Sequence, residues 1–345
     1  MAERVLTLTE LNRATLARQL LLARKKLGPL TVIERLAGMQ AQWSPAPYVG
    51  IWTRTAGFRR ETLERAILRG DVLKPSVMRG TLHLITKRDY PVFWTALREM
   101  PSWYEDSHLQ HALKALPGIR ERAPLTQAEA LDLLAREHGH DDERERRRIF
   151  HALRRRAHLL HAPETALFNV RYGAVSFHPV PPPDDVDVLA ARVELVRRYL
   201  AAFGPASRAD IADWSGLRIS DFAPALDALE PLRRFRDEKG RELLDLTRAP
   251  LPAADTPAPV RFLPKWDNLL LGFADRSRVL PDELRKTVIG KNGDVAQTFL
   301  VDGVVAGSWS AEKDGTVMVS PFAPLPRTVR REVEDEAARL EAWLR

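Results

Sequence analysis

The most constraining pattern in this chain of 345 residues is a series of short helices that lead into paired strands. The helices begin at capping residues and end at glycine turns. The pattern is clearest after residue 187. There an amphipathic helix is predicted over 188–203, and two shorter helices over 207–214 and 220–229 each open on a serine. Strands are predicted to follow over 232–235 and 242–246. Three helices followed by a hairpin are typical of the winged helix, a relative of the helix-turn-helix.

The N-terminal part of the chain follows the same order with looser spacing. Helices are predicted to end at Gly28, near Gln40 and at Arg69, and two strands around a turn are predicted over 72–85. A further copy is predicted in the middle of the chain. The sequence therefore predicts a threefold repeat of architecture, without obvious sequence identity between the copies.

Two proline-rich linkers, at 179–183 and 251–259, divide the chain. The segment after the second linker carries a hairpin signal, an Asp-Gly turn at 302–303 between two apolar runs, and it closes with an amphipathic helix over 330–344. The predicted fold is α+β. Its predicted domains are a first winged helix at 1–100, a second at 101–180, a third at 184–250 and a β-rich domain at 258–345.

Composition limits the classes of function. The chain carries 53 lysines and arginines against 46 acidic residues, a formal net charge of +7, which favours an anionic partner such as nucleic acid. It has no cysteine, which excludes disulfides, thiolate metal ligands and a cysteine nucleophile. No run of 18 apolar residues and no apolar signal core occurs. The sequence thus predicts a soluble cytoplasmic protein with no membrane partner.

The predicted helix at 143–160 has a basic stripe opposite an apolar face. Between 143 and 158 it carries seven arginines and two acidic residues. A solvated charged face is one interpretation, but a stripe so unbalanced repels itself, and contact with phosphates is favoured. The arginines predicted to bind DNA are Arg144, Arg147, Arg148, Arg154 and Arg155. A strand over 168–177 is expected to form the wing of this second unit.

Two amides, Gln40 and Gln42, flank Ala41 where the second helix is expected to break into a proline-braced turn. A glutamine side chain both donates and accepts hydrogen bonds, so the pair could hold a water or the edge of a polar ligand, or could be solvated surface. Further along, Arg79 and His83 are expected to share one face of a strand, since alternate residues of a strand face the same side. Both are predicted to contact DNA.

Four charged residues of the C-terminal domain admit two interpretations: Asp267, Asp275, Arg276 and Arg278. Salt bridges within the protein and contacts with nucleic acid are both consistent with their charges and close spacing. The residues assigned here to DNA binding are Lys265, Trp266, Arg276 and Arg278.

Histidines are concentrated between residues 108 and 161. His108 and His111 lie three residues apart, and His138 and His140 form a second pair. Neither pair comes with an HExxH arrangement or with thiolates. No metal site and no cofactor are therefore predicted.

Five motifs in order along the chain resemble the winged-helix DNA glycosylases related to AlkZ and YcaQ. They are Gln40-Ala41-Gln42 and the segments 78–83, 263–268, 274–278 and 298–303. The resemblance implies a C-shaped protein of three tandem winged helices with a C-terminal β-barrel-like domain, and DNA in a concave cleft. It also implies that Gln40 and Gln42 are catalytic, since the family motif is Gln, an apolar residue, then Gln or Asp. One departure is Phe273, where the family leads us to expect histidine.

Neutral amides suit a particular kind of leaving group. Hydrolysis of an N-glycosidic bond passes through an oxocarbenium-like sugar. An N7-alkylguanine or N3-alkyladenine is already cationic and leaves without a general acid, so the enzyme has chiefly to position a water. The predicted activity is that of a monofunctional DNA glycosylase acting on such alkylpurines in double-stranded DNA as a monomer, with unhooking of interstrand crosslinks as an extension. The alternative is a non-enzymatic DNA-binding protein such as a transcription regulator.

Overall fold

The structure is a computed structural model that describes residues 4–102, 104–170, 175–184 and 186–345. It has a mixed α+β fold, as predicted. The helices are α1 (Leu8–Arg18), α2 (Pro29–Arg35), α3 (Pro45–Arg54), α4 (Arg60–Leu68), α5 (Tyr90–Leu97), α6 (Asp106–Arg122), α7 (Gln127–His138), α8 (Glu143–Arg156), α9 (Val188–Phe203), α10 (Arg208–Ser215), α11 (Ile219–Ala228), α12 (Asn268–Leu271), α13 (Arg285–Val288) and α14 (Arg327–Leu344). The strands are β1 (Val5–Leu6), β2 (Met39–Gln40), β3 (Val72–Leu73), β4 (His83–Thr86), β5 (Leu125–Thr126), β6 (Leu159–His161), β7 (Ser176–Pro179), β8 (Leu232–Asp237), β9 (Glu242–Leu246), β10 (Arg261–Leu263), β11 (Thr298–Val301), β12 (Val304–Ala311) and β13 (Val317–Pro321).

The described residues form three separate three-stranded sheets, each accompanied by helices. Their strand orders are β2-β4-β3, β5-β7-β6 and β1-β8-β9. The third sheet recruits β1 from the start of the chain, which pairs in parallel with β8. Because α1 follows directly and packs against α9, the first residues of the chain belong physically to the third helix-and-sheet unit.

The C-terminal sheet is open. Strands β10 to β13 pair antiparallel in sequence order, and β13 does not pair back to β10 among the described residues. The prediction of a barrel-like domain is therefore wrong in this respect. Four strands are too few to close a barrel, and α14 packs against the sheet instead.

The segment around the glutamines differs most from its prediction. Helix α2 ends five residues before Gln40, and the chain turns through Ala37 and Gly38, whose φ angles are +56° and +88°. Gln40 then lies on β2, and helix α3 begins at Pro45. The prolines that suggested a rigid turn lie in the first turn of α3, where a missing N–H costs no hydrogen bond.

Two further local predictions need correction. Arg79 lies in a tight 3-10 turn (Met78–Gly80) with a φ of +55°, before β4 rather than on it, so it does not alternate with His83 along one strand. The strand predicted over 168–177 begins at Ser176 as β7, and the part at 171–174 lies outside the described residues. The predicted cap at Ser207 is confirmed, because its hydroxyl accepts a hydrogen bond from the Asp210 amide.

Apolar cores join the units. One cluster includes Phe93 of the first unit, Leu195 of the third and Phe273 of the C-terminal segment. Another combines Ile51 of α3 with Phe262 of the C-terminal sheet. The strand that carries Gln40 therefore lies where three parts of the chain meet. Within the described residues, none of the helices combines the length and hydropathy that crossing a bilayer would require.

Candidate active site and DNA-binding surface

Strand β2 is held from both sides. Gln40 is opposite His83 in the antiparallel pairing with β4. On the other side, Asn268 from the start of α12 donates a hydrogen bond to the Gly38 carbonyl oxygen at 2.6 Å and accepts one from the Gln40 N–H at 3.3 Å. Gly38 cannot be replaced easily, because its φ of +88° is left-handed and a Cβ there would lie 3.3 Å from Met78. The backbone of Gln40 is therefore fixed by residues distant in sequence.

The Gln40 side chain is buried, with 6% of its surface exposed. Its Oε1 accepts a hydrogen bond of 2.9 Å from Nη2 of Arg79, while Nη1 of the same guanidinium donates to the Trp214 carbonyl oxygen at 2.6 Å. Since arginine has only donors, the oxygen end of the Gln40 amide must face Arg79. Burial lowers the pKa of Arg79 to about 10, and it remains charged at neutral pH. One lone pair of Oε1 is thus occupied and the orientation of the amide is set.

Gln42 is exposed, unlike Gln40. The intervening Ala41 donates its N–H to the Leu82 carbonyl oxygen at 2.8 Å, so pairing continues past the end of β2. Strand β2 ends at Gln40 and the chain bends at Gln42. The two amides are therefore neighbours along the chain, one anchored in the protein and one at the solvent edge.

His83, on the neighbouring strand β4, is fully buried rather than exposed on a DNA-facing surface. Its Nδ1 is 3.0 Å from the Thr81 carbonyl oxygen, which places the proton on Nδ1. Burial, reinforced by the nearby Arg79 charge, lowers the pKa of His83 to about 3. The imidazole is neutral at physiological pH, so His83 is not positioned to attract a phosphate.

An open hollow lies where the three helix-and-sheet units approach one another. It is lined by Arg79, Gly80, Met100, Pro101, Ser102, His151, Arg155 and Gly216. Gly216 permits the close approach, because a Cβ there would lie 2.4 Å from Met100 Sδ. Burial and then the neighbouring Arg154 and Arg155 lower the pKa of His151 to about 3. Arginines from two units line a space that is suited to an anion.

The arginines of the basic stripe on α8 lie in two different environments, one exposed and one within the protein. Arg144, Arg147 and Arg148 are exposed near the start of the helix, and Arg147 forms a 2.6 Å ion pair with Glu143. Arg154 instead donates to Ser76 Oγ at 3.0 Å.

Arg155, the last member of the stripe, is buried, 6.0 Å from the Tyr104 ring. The predicted stripe thus consists of an exposed half and a half that packs between the first two units.

The C-terminal residues predicted to bind DNA are mostly engaged within the protein. Lys265 pairs with Asp294 at 3.0 Å, Trp266 donates to the Gly293 carbonyl oxygen at 2.9 Å, and Arg276 pairs with Asp213 at 3.1 Å. All three remain partly exposed.

Arg278 differs from these residues. It is buried, donates to the Pro205 carbonyl oxygen at 3.0 Å and lies 4.1 Å from the Phe273 ring. A guanidinium so enclosed leaves no room for a phosphate, so Arg278 is not positioned to contact DNA. Phe273, the departure from the expected histidine, fills the shared core and stacks on this arginine.

Two neighbouring residues organise the site, and the sequence predicts no role for Asn268. For the preceding Asp267 it leaves salt bridging and nucleic-acid contact open, and the structure shows the salt bridge. Asp267 forms a buried bidentate ion pair with Arg54 of α3, with contacts of 2.7 and 2.9 Å. Both lie in the segment 263–268 that carries the family resemblance. That resemblance is the available signal for these two residues.

Comparison with known proteins defines the class. Among solved structures, the Streptomyces sahachiroi DNA glycosylase AlkZ superposes with a TM-score of 0.81 over 98% of this chain and 97% of that chain, at 22% sequence identity. That likeness establishes the fold.

The family model described as DNA glycosylase AlkZ-like matches residues 33–343. The chain therefore belongs to the AlkZ-like family of DNA glycosylases, enzymes that act on N-glycosidic bonds, and the resemblance found from the motifs is confirmed. A curated relative, the interstrand DNA cross-link repair glycosylase of Streptomyces sahachiroi, is 28% identical over 94% of this chain and 92% of its own length. Membership in an enzyme family argues against the non-enzymatic regulator.

Proposed function

We propose that this glycosylase excises cationic alkylpurines, N7-alkylguanine and N3-alkyladenine, from double-stranded DNA, and that its substrates extend to interstrand crosslinks attached through such positions. The curated relative named for cross-link repair supports the extension. The observation that carries the proposal is the Gln40 amide, buried and oriented by Arg79 in a site whose two motif side chains are neutral. A site without a strong acid or base at the motif favours a leaving group that already carries positive charge.

In this mechanism the two amides have different tasks. The remaining lone pair of Gln40 Oε1 is directed at the sugar, where positive charge develops as the base departs. Gln42, at the solvent edge, accepts a hydrogen bond from the attacking water. Positioning of this kind contributes several kcal/mol, about 7–11 in the most favourable model reactions. Undamaged nucleotides, whose bases leave as anions, are poor substrates for such a site.

The DNA is proposed to lie across the hollow and the exposed start of α8. Arg144, Arg147 and Arg148 are available for phosphates, with Lys265, Trp266 and Arg276 at the edge of the C-terminal segment. We further propose that the three helix-and-sheet units act as winged helices around a concave cleft, and that the enzyme works as a monomer in the cytoplasm. An open cleft admits a bulky adduct more easily than a closed pocket for a flipped base.

The test compares wild-type protein with a Gln40→Ala, Gln42→Ala double variant. The substrates are a duplex containing 7-methylguanine and a duplex carrying a nitrogen-mustard crosslink. Loss of preorganised polar groups is expected to lower the single-turnover excision rate by about 100- to 1000-fold. Gln110→Ala, which changes an exposed glutamine on α6, is the matched control and should excise at the wild-type rate. The proposal fails if wild type and the double variant are equally inactive on both substrates.

A further inference from the structure

A cluster of metal-ligating side chains lies in the second unit, away from the glutamines. His111 of α6, His140 after α7 and Glu145 in the first turn of α8 offer ligand atoms that all lie within 4.8 Å of one another. The three come from three different elements, separated by up to 34 positions in the sequence. The two histidine pairs in the sequence do not predict this set of ligands, because only one member of each pair, His111 or His140, belongs to the cluster.

The distances fit a small divalent cation. Glu145 Oε1 is 3.2 Å from His140 Nδ1 and 3.8 Å from His111 Nδ1. Zinc bonds of about 2.0–2.2 Å place the donor atoms of a tetrahedral site roughly 3.3–3.5 Å apart. The two imidazole rings lie with centroids 4.5 Å apart and their planes inclined at 49°. Small shifts of side chains would therefore complete three corners of a tetrahedron.

His111 Nδ1 provides independent support. This atom is shielded from solvent, although the ring as a whole is partly exposed, and it has no hydrogen-bond partner among the described residues. A shielded ring nitrogen ordinarily has such a partner. A metal ion bound between His111 and Glu145 would satisfy it. The neighbouring His108 is otherwise engaged, since its Nδ1 accepts a hydrogen bond from the Glu105 N–H in the cap of α6.

The backbone holds His140 in place. Gly139 ends α7 in a left-handed conformation, and the His140 N–H donates to the Leu134 carbonyl oxygen at 3.2 Å. Arg146 then donates to the His140 carbonyl oxygen at 2.7 Å. The loop is therefore preorganised, which lowers the entropic cost of gathering the ligands.

We propose that His111, His140 and Glu145 form a binding site for a divalent transition-metal ion of the zinc class. Two imidazoles and a carboxylate suit Zn²⁺, and three protein ligands leave the fourth position to water. The side chains of His111 and Glu145 are 36% and 37% exposed, which gives the ion a route of entry. The bound ion ties α6 and the α7–α8 loop to the start of α8, where Arg144 and Arg148 are exposed.

The test is titration of the untagged full chain with ZnCl₂, followed by calorimetry, with metal content measured after dialysis. Wild type is expected to bind one Zn²⁺ per chain. His111→Ala and Glu145→Gln should each weaken binding by more than about 10-fold, since even partners outside the ligand set change affinity by 10- to 100-fold. His138→Ala, a histidine at the end of α7 outside the cluster, is the matched control and should bind as wild type does.

Cobalt gives a second readout. Tetrahedral Co²⁺ absorbs visible light strongly and hydrated Co²⁺ only weakly, so wild type should develop an intense band that Glu145→Gln lacks. Far-UV circular dichroism verifies that each variant is folded. If His111→Ala fails to fold, the half-exposed Glu145→Gln decides the question. Absence of stoichiometric binding by wild type, or unchanged zinc affinity in folded Glu145→Gln, overturns the proposal.

Discussion

Replacing Arg79 with methionine separates two roles that its position allows. The change keeps an unbranched apolar stem and removes the guanidinium that orients the Gln40 amide. If Arg79 acts through Gln40, Arg79→Met should lower the excision rate at saturating DNA. If Arg79 instead contacts a phosphate, as the sequence suggested, the main effect should be on DNA affinity and on its dependence on salt.

The size of the effect follows from the hydrogen bonds. The guanidinium makes one to Gln40 Oε1 at 2.9 Å and one to the Trp214 carbonyl oxygen at 2.6 Å. A hydrogen bond to a charged group contributes about 1.5–3 kcal/mol. If the bond to Gln40 is needed in the transition state, its loss lowers the rate roughly 10- to 150-fold. The bond to Trp214 should be reflected in stability rather than in rate.

A double-mutant cycle makes the prediction specific. Gln40→Ala, Arg79→Met and the double variant are compared in single-turnover excision of 7-methylguanine, with urea unfolding to verify that each is folded. Residues that act as a unit are strongly non-additive, so the double variant should be no slower than Gln40→Ala alone. Multiplication of the two single effects would refute the positioning role of Arg79.

Arg148→Ala is the control for phosphate contact. Arg148 is exposed on α8 and is proposed to contact a phosphate. Its loss should weaken DNA binding, reduce the slope of log affinity against log salt by about 1, and leave the saturated excision rate unchanged. Arg79→Met should leave that slope unchanged. A reduced slope for Arg79→Met would assign Arg79 to the DNA backbone instead.

Two further predictions concern the strand that carries Gln40. Asn268→Ala leaves the Gly38 carbonyl and the Gln40 N–H without their buried partner, which should cost about 1–3 kcal/mol of stability and slow excision. Urea unfolding and single-turnover assays measure both, and lower stability with an unchanged rate would show that Asn268 does not position Gln40. The second concerns pH. Burial, then the Arg79 charge, lowers the pKa of His83 from 6.5 to about 3, so below pH 6.5 the unfolded chain binds a proton that the folded chain does not. The free energy of unfolding should therefore fall as pH falls, by about 2 kcal/mol between pH 6.5 and 5 from this residue alone. Urea unfolding at both pH values should show a smaller loss for His83→Asn, and equal losses would contradict the assignment.

Helices and turns were predictable wherever the deciding interactions are local. The Ser207 cap, the amphipathic helix α9 and the Asp302-Gly303 turn all depend on residues within a few positions, and the structure has them. Prediction failed where a local signal had two meanings. Pro45 and Pro47 are typical of a turn, but they lie in the first turn of α3, because proline suits both settings. The two-residue strand β2 has no periodicity to detect.

The sequence by itself determined the family and which side chains belong to the motif, because the order of five motifs along one chain is specific even when each is short. The tertiary structure decided how those side chains can act. Gln40 is oriented by Arg79, 39 residues away, and braced by Asn268, 228 residues away. Arg278 and Arg155 are buried, although their sequence context resembles that of exposed arginines. His111, His140 and Glu145 meet only when three elements pack together. The burial and partners of a polar group depend on distant segments that cover it, and no local pattern encodes that information.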